Sequence, residues 1–375
     1  MDFELTPEQN ALRDVAQRYA GAHQDLGRRR DIAGSDVGFC RDAWATYAEL
    51  GWLGAGLTEE VGGFGGGVVE TALLFEALAA AMPLEPLLTS VLSLNALAAL
   101  TPFDGRDALI AEIISGAQVV SFAHFELGGR RSGTHVATTA RPSSAGWVLN
   151  GEKVAVSVAD AADALLISAR VSGGVSDEDG VGLFLISSTA AGEEIKPYRL
   201  LDDTRVGDIR LRDVEAMLLG RIADGPKAIA SAIDVGVMAL CAEAVGLMQA
   251  TLALTREHLV TRRQFGVALS SFQALRHRMA DMLVQLELSR SILFQGLAAF
   301  EARDALRARG VSAAKAFIGA AGVKLAADAI QLHGGIGVTE EHRVGHIYRR
   351  LFVGAGLLGD TAQHLRAFGD ALASG

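Results

Sequence analysis

The sequence predicts a mainly helical α+β protein in which a block of strands separates two blocks of helices. Three observations predict it. Apolar residues recur at helical spacing in the first third of the chain, alternate from about Gln118 to Gly220, and return to helical spacing from Pro226 onward. The 375 residues are enough for two or three domains. We therefore predict an N-terminal helical domain at 1–117, a middle β domain at 118–222 and a C-terminal helical bundle at 223–375.

The first helix has a clear start signal. Thr6 is a good N-cap, Pro7 follows it, and Glu8 lies in the first turn. The segments WATYAELGWLGAG and ETALLFEALAAAM are predicted helices, and the glycine-rich EEVGGFGGG between them is a predicted turn. The charge-free run from Pro86 to Phe103 is too polar for a membrane span, so we predict a buried core helix there.

The middle of the chain has strand and turn signals. Asn150-Gly151 lies between apolar flanks in WVLNGEKVAVSV, which predicts a β-hairpin turn at this pair. The segments GLFLISS and DIRLRDVEAMLL are predicted strands.

In the last third, one apolar stripe predicts a long bundle helix. Its members are Leu275, Met279, Met282, Leu286, Leu293, Leu297 and Phe300.

Composition and charge exclude some classes of function. The formal charge is -10, from 44 acidic and 34 basic residues, which argues against nucleic acid or an anionic membrane as the main partner. Cys40 and Cys241 lie too far apart in sequence for a CxxC site. The start MDFELTPEQN lacks the basic and then apolar pattern of a signal peptide. We expect a cytoplasmic protein without a membrane span.

Two motifs are better explained without ligands. GAGLLG at 354–359 matches a dinucleotide-binding pattern, but only sixteen residues follow Gly359, too few for the rest of a βαβ unit. His342 and His346 are spaced like metal ligands, yet no third ligand is evident. We expect no metal site.

Two segments in the last third are more informative. RRQFGVALSSFQALRHRMADM places basic residues and a phenylalanine just before a helix, where a diphosphate could bind to cationic side chains and helix-terminal N–H groups. QLHGGIGVTEEHRVGHIYRR places glycines beside an amide side chain, which lets the backbone approach a ligand closely. Taken alone, each segment could equally be a packing turn.

Together with ELGWLGAGLTEEVGGFGGG and WVLNGEKVAVSVADAADALLISAR, these segments resemble the acyl-CoA dehydrogenase family over nearly the whole chain. The resemblance implies an N-terminal helical domain, a β domain and a C-terminal four-helix bundle. It implies FAD bound between subunits and oxidation of an acyl-CoA thioester to the 2-enoyl-CoA. A glutamate removes the α-proton, the β-hydride passes to the flavin, and an electron-transfer flavoprotein usually accepts the electrons.

The resemblance also assigns cofactor contacts. Arg262 matches the arginine that reaches the FAD diphosphate of the neighbouring subunit. Gln331 and Gly335 match the adenine-side contact across the same interface, and Ser157 stands at the flavin-contacting threonine of a Trp-x-Thr motif. The remaining predicted contacts, in the turn and helix after Arg262, are Gln264, Phe265, Leu269 and Gln273.

Several positions depart from the family pattern. The tryptophan of Trp-x-Thr is Ala155, and the flavin motif Thr-Glu-Pro appears as Phe125-Glu126-Leu127. The usual catalytic glutamate position is Leu358, and the alternative position in the first C-terminal helix is Gly236.

Both usual bases are therefore missing, and Glu243 becomes the candidate. It follows Gly236 by seven residues, two turns along and nearly on the same helix face, in the apolar segment ALCAEAVGLMQATLAL. Burial there would raise the pKa of its carboxyl, as a base requires. The alternative is a structural carboxylate bonded to a backbone N–H or an arginine of the bundle. Asp360 and Asp234 are reserve candidates, and Asp360 is expected to cap the next helix or face solvent.

Two functions remain open at this point. The chain is either a complete FAD-dependent acyl-CoA dehydrogenase with Glu243 as base, or a partner subunit that supplies Arg262 and the Gln331 turn to a flavin held by another chain. The expected assembly is a homotetramer or an α2β2 heterotetramer with a related subunit. Bacterial relatives of the second kind often act on branched or steroid-derived acyl chains.

Overall fold

The computed structural model describes residues 4–129, 134–144, 146–190, 192–301 and 304–373. Helices precede and follow a block of strands, which confirms the predicted fold class. The helices are α1 (Pro7–Ala22), α2 (Leu26–Gly34), α3 (Arg41–Glu49), α4 (Val68–Leu78), α5 (Leu87–Ala99), α6 (Arg106–Ile114), α7 (Gly225–Thr261), α8 (Gln273–Ala298), α9 (Asp304–His333), α10 (Arg343–Gly356) and α11 (Thr361–Ala373). The strands are β1 (Val120–Ala123), β2 (Thr139–Ser143), β3 (Gly146–Ser157), β4 (Ala164–Arg170), β5 (Val181–Ser187), β6 (Glu193–Arg199), β7 (Arg205–Leu219), β8 (Arg263–Gln264) and β9 (Val267–Ala268).

Contacts divide the chain into two compact units, and the three-domain division stays a prediction. One unit contains Met1–Arg28, Val68–Pro83 and Val237–Gly375, and is called the bundle unit below. The other contains Arg29–Gly67 and Leu84–Gly236, and is called the strand unit.

The bundle unit has a core where helices distant in sequence meet. Ala79, Met82, Leu247, Ala326, Ile347 and Leu351 form one buried apolar cluster. The predicted long helix is confirmed as α8, and four residues of its predicted stripe, Met282, Leu286, Leu293 and Leu297, are buried. The other three are half-buried, and Phe300 lies beyond the end of α8. The predicted start of α1 is also confirmed: Gln9 N donates to Thr6 Oγ1 at 3.2 Å, and Thr6 N donates to Gln9 Oε1 at 3.0 Å.

The strand unit is built around a closed ring of strands. The pairings run β4–β2–β3–β7–β5 and back to β4, while β1 adds to β4 and β6 adds to β7. Every residue of β4 is buried. The predicted core helix α5 packs on this sheet, where Ser93 Oγ donates to the carbonyl of Val120 at 2.8 Å and Thr89 Oγ1 accepts from Phe122 N at 2.9 Å.

The hairpin predicted at Asn150-Gly151 is wrong. The chain reverses between Ser143 and Gly146, and Asn150-Gly151 lies inside β3. There the register with β7 shifts, and the side chain of Asn150 bonds both the N–H (3.0 Å) and the carboxylate (2.8 Å) of Asp213. The pair therefore forms a bulge, in which the freedom of Gly151 at φ 152 is needed to keep the strand paired.

Two helical segments are long and apolar enough to cross a membrane by length and composition. They are Ile222–Thr261 and Leu306–Val338, and 72% and 56% of their most apolar windows are buried inside the protein. Burial of this kind is typical of the core helices of soluble proteins.

Candidate cofactor and active-site residues

The segment after α7 is a short hairpin that exposes the predicted cofactor contacts. β8 and β9 pair between Arg263 and Ala268, and Leu269 N donates to the carbonyl of Arg262 at 2.9 Å. Phe265 and Gly266 at the turn have φ of 54° and 84°, as a two-residue type I′ turn requires. Phe265 is 90% exposed. A bulky residue with positive φ and an exposed ring indicates a binding surface.

The hairpin leads into an open helix start. Gln273 is the first residue of α8, and Phe272 at the N-cap makes no side-chain cap bond. Leu275 N donates to the carbonyl of Phe272 at 3.1 Å, so the first-turn N–H groups that a ligand could reach are those of Gln273 and Ala274. Arg262, Gln264 and Gln273 are exposed, and Leu269 is half-buried. A guanidinium, two amides and a helix N-terminus suit a diphosphate with hydroxyl groups beside it.

The glycine turn after α9 lies next to this hairpin. Gln331 and Gly335 are exposed, and a Cβ added at Gly335 would meet no atom within 4 Å. The rings of His258 in α7 and His333 in α9 stack with centroids 4.5 Å apart, which joins the end of α7 to the end of α9. This contact places the helix turn before Arg262 beside the helix turn that contains Gln331, and the cofactor roles of the nine predicted site residues stay a prediction.

Ser157 belongs to the strand unit. It is half-buried at the end of β3, and its carbonyl accepts from Ser121 Oγ at 2.6 Å. Ala155, at the missing tryptophan, has φ of 53°, and its N–H donates to Asp208 Oδ1 at 3.0 Å. The residue at the tryptophan position therefore keeps a strained, hydrogen-bonded backbone without the aromatic ring.

A buried polar network below Phe125-Glu126-Leu127 was missed by the sequence analysis. Lys153 is fully buried, and its Nζ donates to Glu126 Oε1 at 2.6 Å, to Ser168 Oγ at 3.0 Å and to the carbonyl of His124 at 3.1 Å. Burial lowers the pKa of Lys153 to about 8, against the attraction of Glu126. Burial by itself would raise the pKa of Glu126. The charge and hydrogen bond of Lys153, together with the other hydrogen bonds to the carboxylate, outweigh burial, so the pKa of Glu126 is lowered. The network anchors the segment that the family places against the flavin.

Glu243 is buried but not alone. Arg350 in α10 donates to it twice, Nε to Oε1 at 2.7 Å and Nη2 to Oε2 at 2.7 Å. Only 7% of the Glu243 side chain and 11% of the Arg350 side chain are exposed. Both carboxylate oxygens are thus held by one guanidinium, as in the structural alternative given above.

A small cleft of about 10 Å³ lies between α7, α9 and α10, and Glu243 and Arg350 line it. Lys315 lines it too, and its Nζ donates to the carbonyl of Gly354. Burial raises the pKa of the Cys241 thiol in the same wall to about 12, although Lys315 opposes this. A thiol of that pKa is inert as a nucleophile near neutral pH.

The two base positions of the family hold no carboxylate. Leu358 is buried with φ of 55°, and Gly236 has no side chain. Asp360 Oδ1 accepts from Gln363 N at 2.8 Å and Asp360 N donates to Gln363 Oε1 at 3.1 Å, so this residue caps α11 as expected. Within the described ranges, no cluster of three or more His, Cys, Asp or Glu could hold a metal ion.

Helices thus precede and follow the closed sheet of the strand unit, and the bundle unit carries an exposed cationic hairpin and a glycine turn. Family models for the acyl-CoA dehydrogenase N-terminal domain and C-terminal domain match residues 6–116 and 223–372. The chain belongs to the acyl-CoA dehydrogenase family. This is a family of flavin-linked oxidoreductases that use FAD.

Individual proteins of this family are similar over the full length. The probable acyl-CoA dehydrogenase YngJ of Bacillus subtilis is 26% identical over 93% of this chain and 93% of its own. The solved structure of a variant of the Tcur3481-Tcur3483 steroid ACAD has a TM-score of 0.87 and 27% identity, covering 98% of both chains. A chain of the ChsE4-ChsE5 complex of Mycobacterium tuberculosis has a TM-score of 0.89 and 24% identity, and the match covers all of this chain and all of that one, which shows a shared fold.

Proposed function

We propose that this protein works in the FAD-dependent α,β-dehydrogenation of an acyl-CoA thioester to the 2-enoyl-CoA, in the cytoplasm, with an electron-transfer flavoprotein as electron acceptor. The observation that carries this proposal is the surface formed by the Arg262 hairpin and the Gln331 turn. Apart from the half-buried Leu269, its predicted cofactor contacts are exposed, and they include types that bind a dinucleotide. The resemblance to the family assigns these positions to FAD.

The residues of this chain would divide the cofactor between them. Arg262 and the open start of α8 would hold the diphosphate, and Gln331 with Gly335 would hold the adenine side. Because the family places these contacts across an interface, they would serve the FAD of a neighbouring subunit. When bound, FAD accepts the hydride that leaves the β-carbon of the substrate.

Removal of the α-proton is the step for which this chain is poorly equipped. Glu243 is the one candidate base that lines the cleft, and both of its oxygens accept from Arg350. Leu358, at the usual base position, is buried and apolar. These contacts support the partner-subunit function, in which this chain completes the FAD site of a related subunit that carries the base, in an α2β2 heterotetramer.

The second candidate is the complete dehydrogenase, as a homotetramer, with Glu243 as base. Glu243 lines the cleft and lies two helical turns after Gly236, on nearly the same face of α7, and this position favours the complete dehydrogenase. In that case Arg350 must release at least one carboxylate oxygen when substrate binds, because a base needs a free lone pair within reach of the proton.

A visible spectrum separates the two candidates. The chain is purified alone and titrated without oxygen with acyl-CoAs of straight, branched and steroid-derived acyl groups, the last suggested by the steroid ACAD relative. A yellow protein whose flavin band bleaches is the complete dehydrogenase. A colourless protein, or a yellow one that no thioester bleaches, indicates the partner subunit, whose activity should return with a glutamate-bearing mate. If no such mixture reduces flavin, the proposed dehydrogenation is wrong.

A further inference from the structure

Three histidines form a stack beside the two predicted FAD segments. His333, at the end of α9, lies between His258 of α7 and His342 at the start of α10. Ring centroids are 4.5 Å apart on both sides, with interplanar angles of 28° and 57°. His333 is 5% exposed, and the other two are half-buried. Three helix ends therefore meet at one aromatic column.

Each ring is tied to a segment that the resemblance assigns to FAD. The carbonyl of His258 accepts the last helical bond of α7, from Arg262 N at 2.9 Å, immediately before the hairpin. His333 follows Gln331 by two residues and precedes the glycine turn. His342 caps α10, because its Nδ1 accepts from Val344 N at 3.2 Å. The stack thus connects the base of the hairpin to both ends of the glycine turn.

The hydrogen bonds favour the neutral form of two of these rings. Nδ1 of His333 lies 2.8 Å from the carbonyl of Ala329, so it carries the proton. Nε2 of His333 is buried and has no hydrogen-bond partner among the residues that the structure describes. A second proton on His333 would therefore be placed where no acceptor meets it. A second proton on His342 would convert Nδ1 from the acceptor of the α10 cap into a donor facing an N–H.

The charged groups that face the stack are Arg262 beside His258 and Arg343 beside His342, and both are cations. The titratable neighbours of each ring are the other histidines of the stack. A proton taken up by His258 or His342 therefore meets an arginine cation beside the ring.

We propose that the neutral histidine stack is a positioning element that joins the Arg262 hairpin to the Gln331–Gly335 turn, and that proton uptake by the stack loosens this junction and weakens the hold on the ADP half of FAD. The part that concerns FAD depends on the proposed function. The junction itself does not.

The direction of the pH effect follows from the direction in which the pKa of each histidine is shifted. Burial lowers the pKa of all three histidines. At His258 the ring of His333 and the charge of Arg262 lower the pKa further. At His342 the other two rings and the charge of Arg343 do the same. The separated rings, with the ordinary pKa of about 6.5, bind more protons than the stacked ones. The stack is therefore fully stabilising above about pH 6.5 and weakens as the pH falls below that value.

The first measurement is the affinity of the full-length protein, in its assembly, for FAD at pH 7.5 and 5.5, by equilibrium dialysis with flavin fluorescence. We expect the wild type to bind FAD severalfold more weakly at pH 5.5 than at pH 7.5, because the stack takes up protons between these values. His333→Phe keeps a ring in the column without a proton to gain, so its affinity should fall less. His277→Phe removes an exposed histidine outside the stack and should behave as the wild type.

The second measurement needs no FAD. Hydrogen exchange of peptides covering 258–268 and 331–342 is compared at pH 7.5 among wild type, His333→Ala and His277→Phe. We expect faster exchange in both peptides of His333→Ala alone. Unchanged exchange in His333→Ala would overturn the positioning role, and equal FAD affinity at both pH values would overturn the protonation step. A protein that binds no FAD at any pH, yet shows the exchange effect, refutes the proposed function and supports the junction.

Discussion

Arg350 Nε and Nη2 each lie 2.7 Å from a different carboxylate oxygen of Glu243, so one guanidinium holds the whole carboxylate. The pair ties α7 to α10 at a position where both side chains are almost completely buried. A buried pair of this kind is costly to form, but it is more costly to break, because the charge that remains loses its counter-ion in a site with little water.

Glu243→Gln should therefore destabilise the protein by about 3–5 kcal/mol. The measurement is the free energy of unfolding by chemical denaturation. The double change Glu243→Leu with Arg350→Leu removes both charges and fills the space with apolar groups, so its loss should be much smaller. A Glu243→Gln protein as stable as the wild type would contradict the role of the pair.

The same site gives a test of the base. Glu243→Gln and Arg350→Gln both break the pair, but only the first removes the carboxylate. If Glu243 is the base, anaerobic flavin reduction by an acyl-CoA is abolished in Glu243→Gln and survives in Arg350→Gln. Equal reduction in the two variants would assign the base elsewhere.

Arg262→Ala should weaken FAD retention about tenfold or more in any assembly that contains this chain, since a charge-assisted bond to a phosphate contributes about 1.5–3 kcal/mol. Arg263→Ala is the matched control. It removes the same charge one residue along the same hairpin, where the side chain donates to the carbonyl of Gly266 at 3.3 Å. Bound flavin per subunit after gel filtration is measured, and equal losses in both variants would indicate general electrostatics instead of a specific contact.

Gly359→Ala should destabilise the turn after α10 by about 2 kcal/mol. Gly359 has φ of 105°, and an added Cβ would lie 2.6 Å from Nε2 of His364. That ring also bonds the carbonyl of Leu358 at 3.0 Å, so the turn cannot move freely. Gly354→Ala is the control: its Cβ would meet no atom within 4 Å in α10, and alanine should stabilise the helix by about 0.5–1 kcal/mol. Thermal unfolding of both variants checks the opposite signs.

His342→Asn should keep stability at pH 7.5 and reduce its loss in acid. Asparagine is a good N-cap, so the bond from Val344 N to the cap is retained, while one titrating ring of the stack is removed. Because the lowered pKa of His342 makes folding weaker as the pH falls below about 6.5, the melting temperature of the variant should fall less between pH 7.5 and 5.5 than that of the wild type. An identical fall in both proteins would exclude His342 from the effect.

Local signals were sufficient where the structure depends on local interactions. The capping box at Thr6 and the stripe of α8 follow from spacing within one or two turns, and the structure confirms both. The motif positions also led to the exposed hairpin and the glycine turn. The Asn150-Gly151 prediction failed because its outcome depends on Asp213, 63 residues away, which pairs with Asn150 across β3 and β7.

By itself the sequence determined the fold class, the order of the elements, the family and a charge at position 243 on an apolar helix face, because periodicity, caps and motifs are properties of neighbouring residues. It left open whether that charge was a base or a structural ion. Only the packing of α7 against α10 brings Arg350, 107 residues away, onto Glu243, and only the meeting of α7, α9 and α10 stacks three histidines. Partners of buried polar groups are selected by which helices pack together, and that selection is made in the tertiary structure.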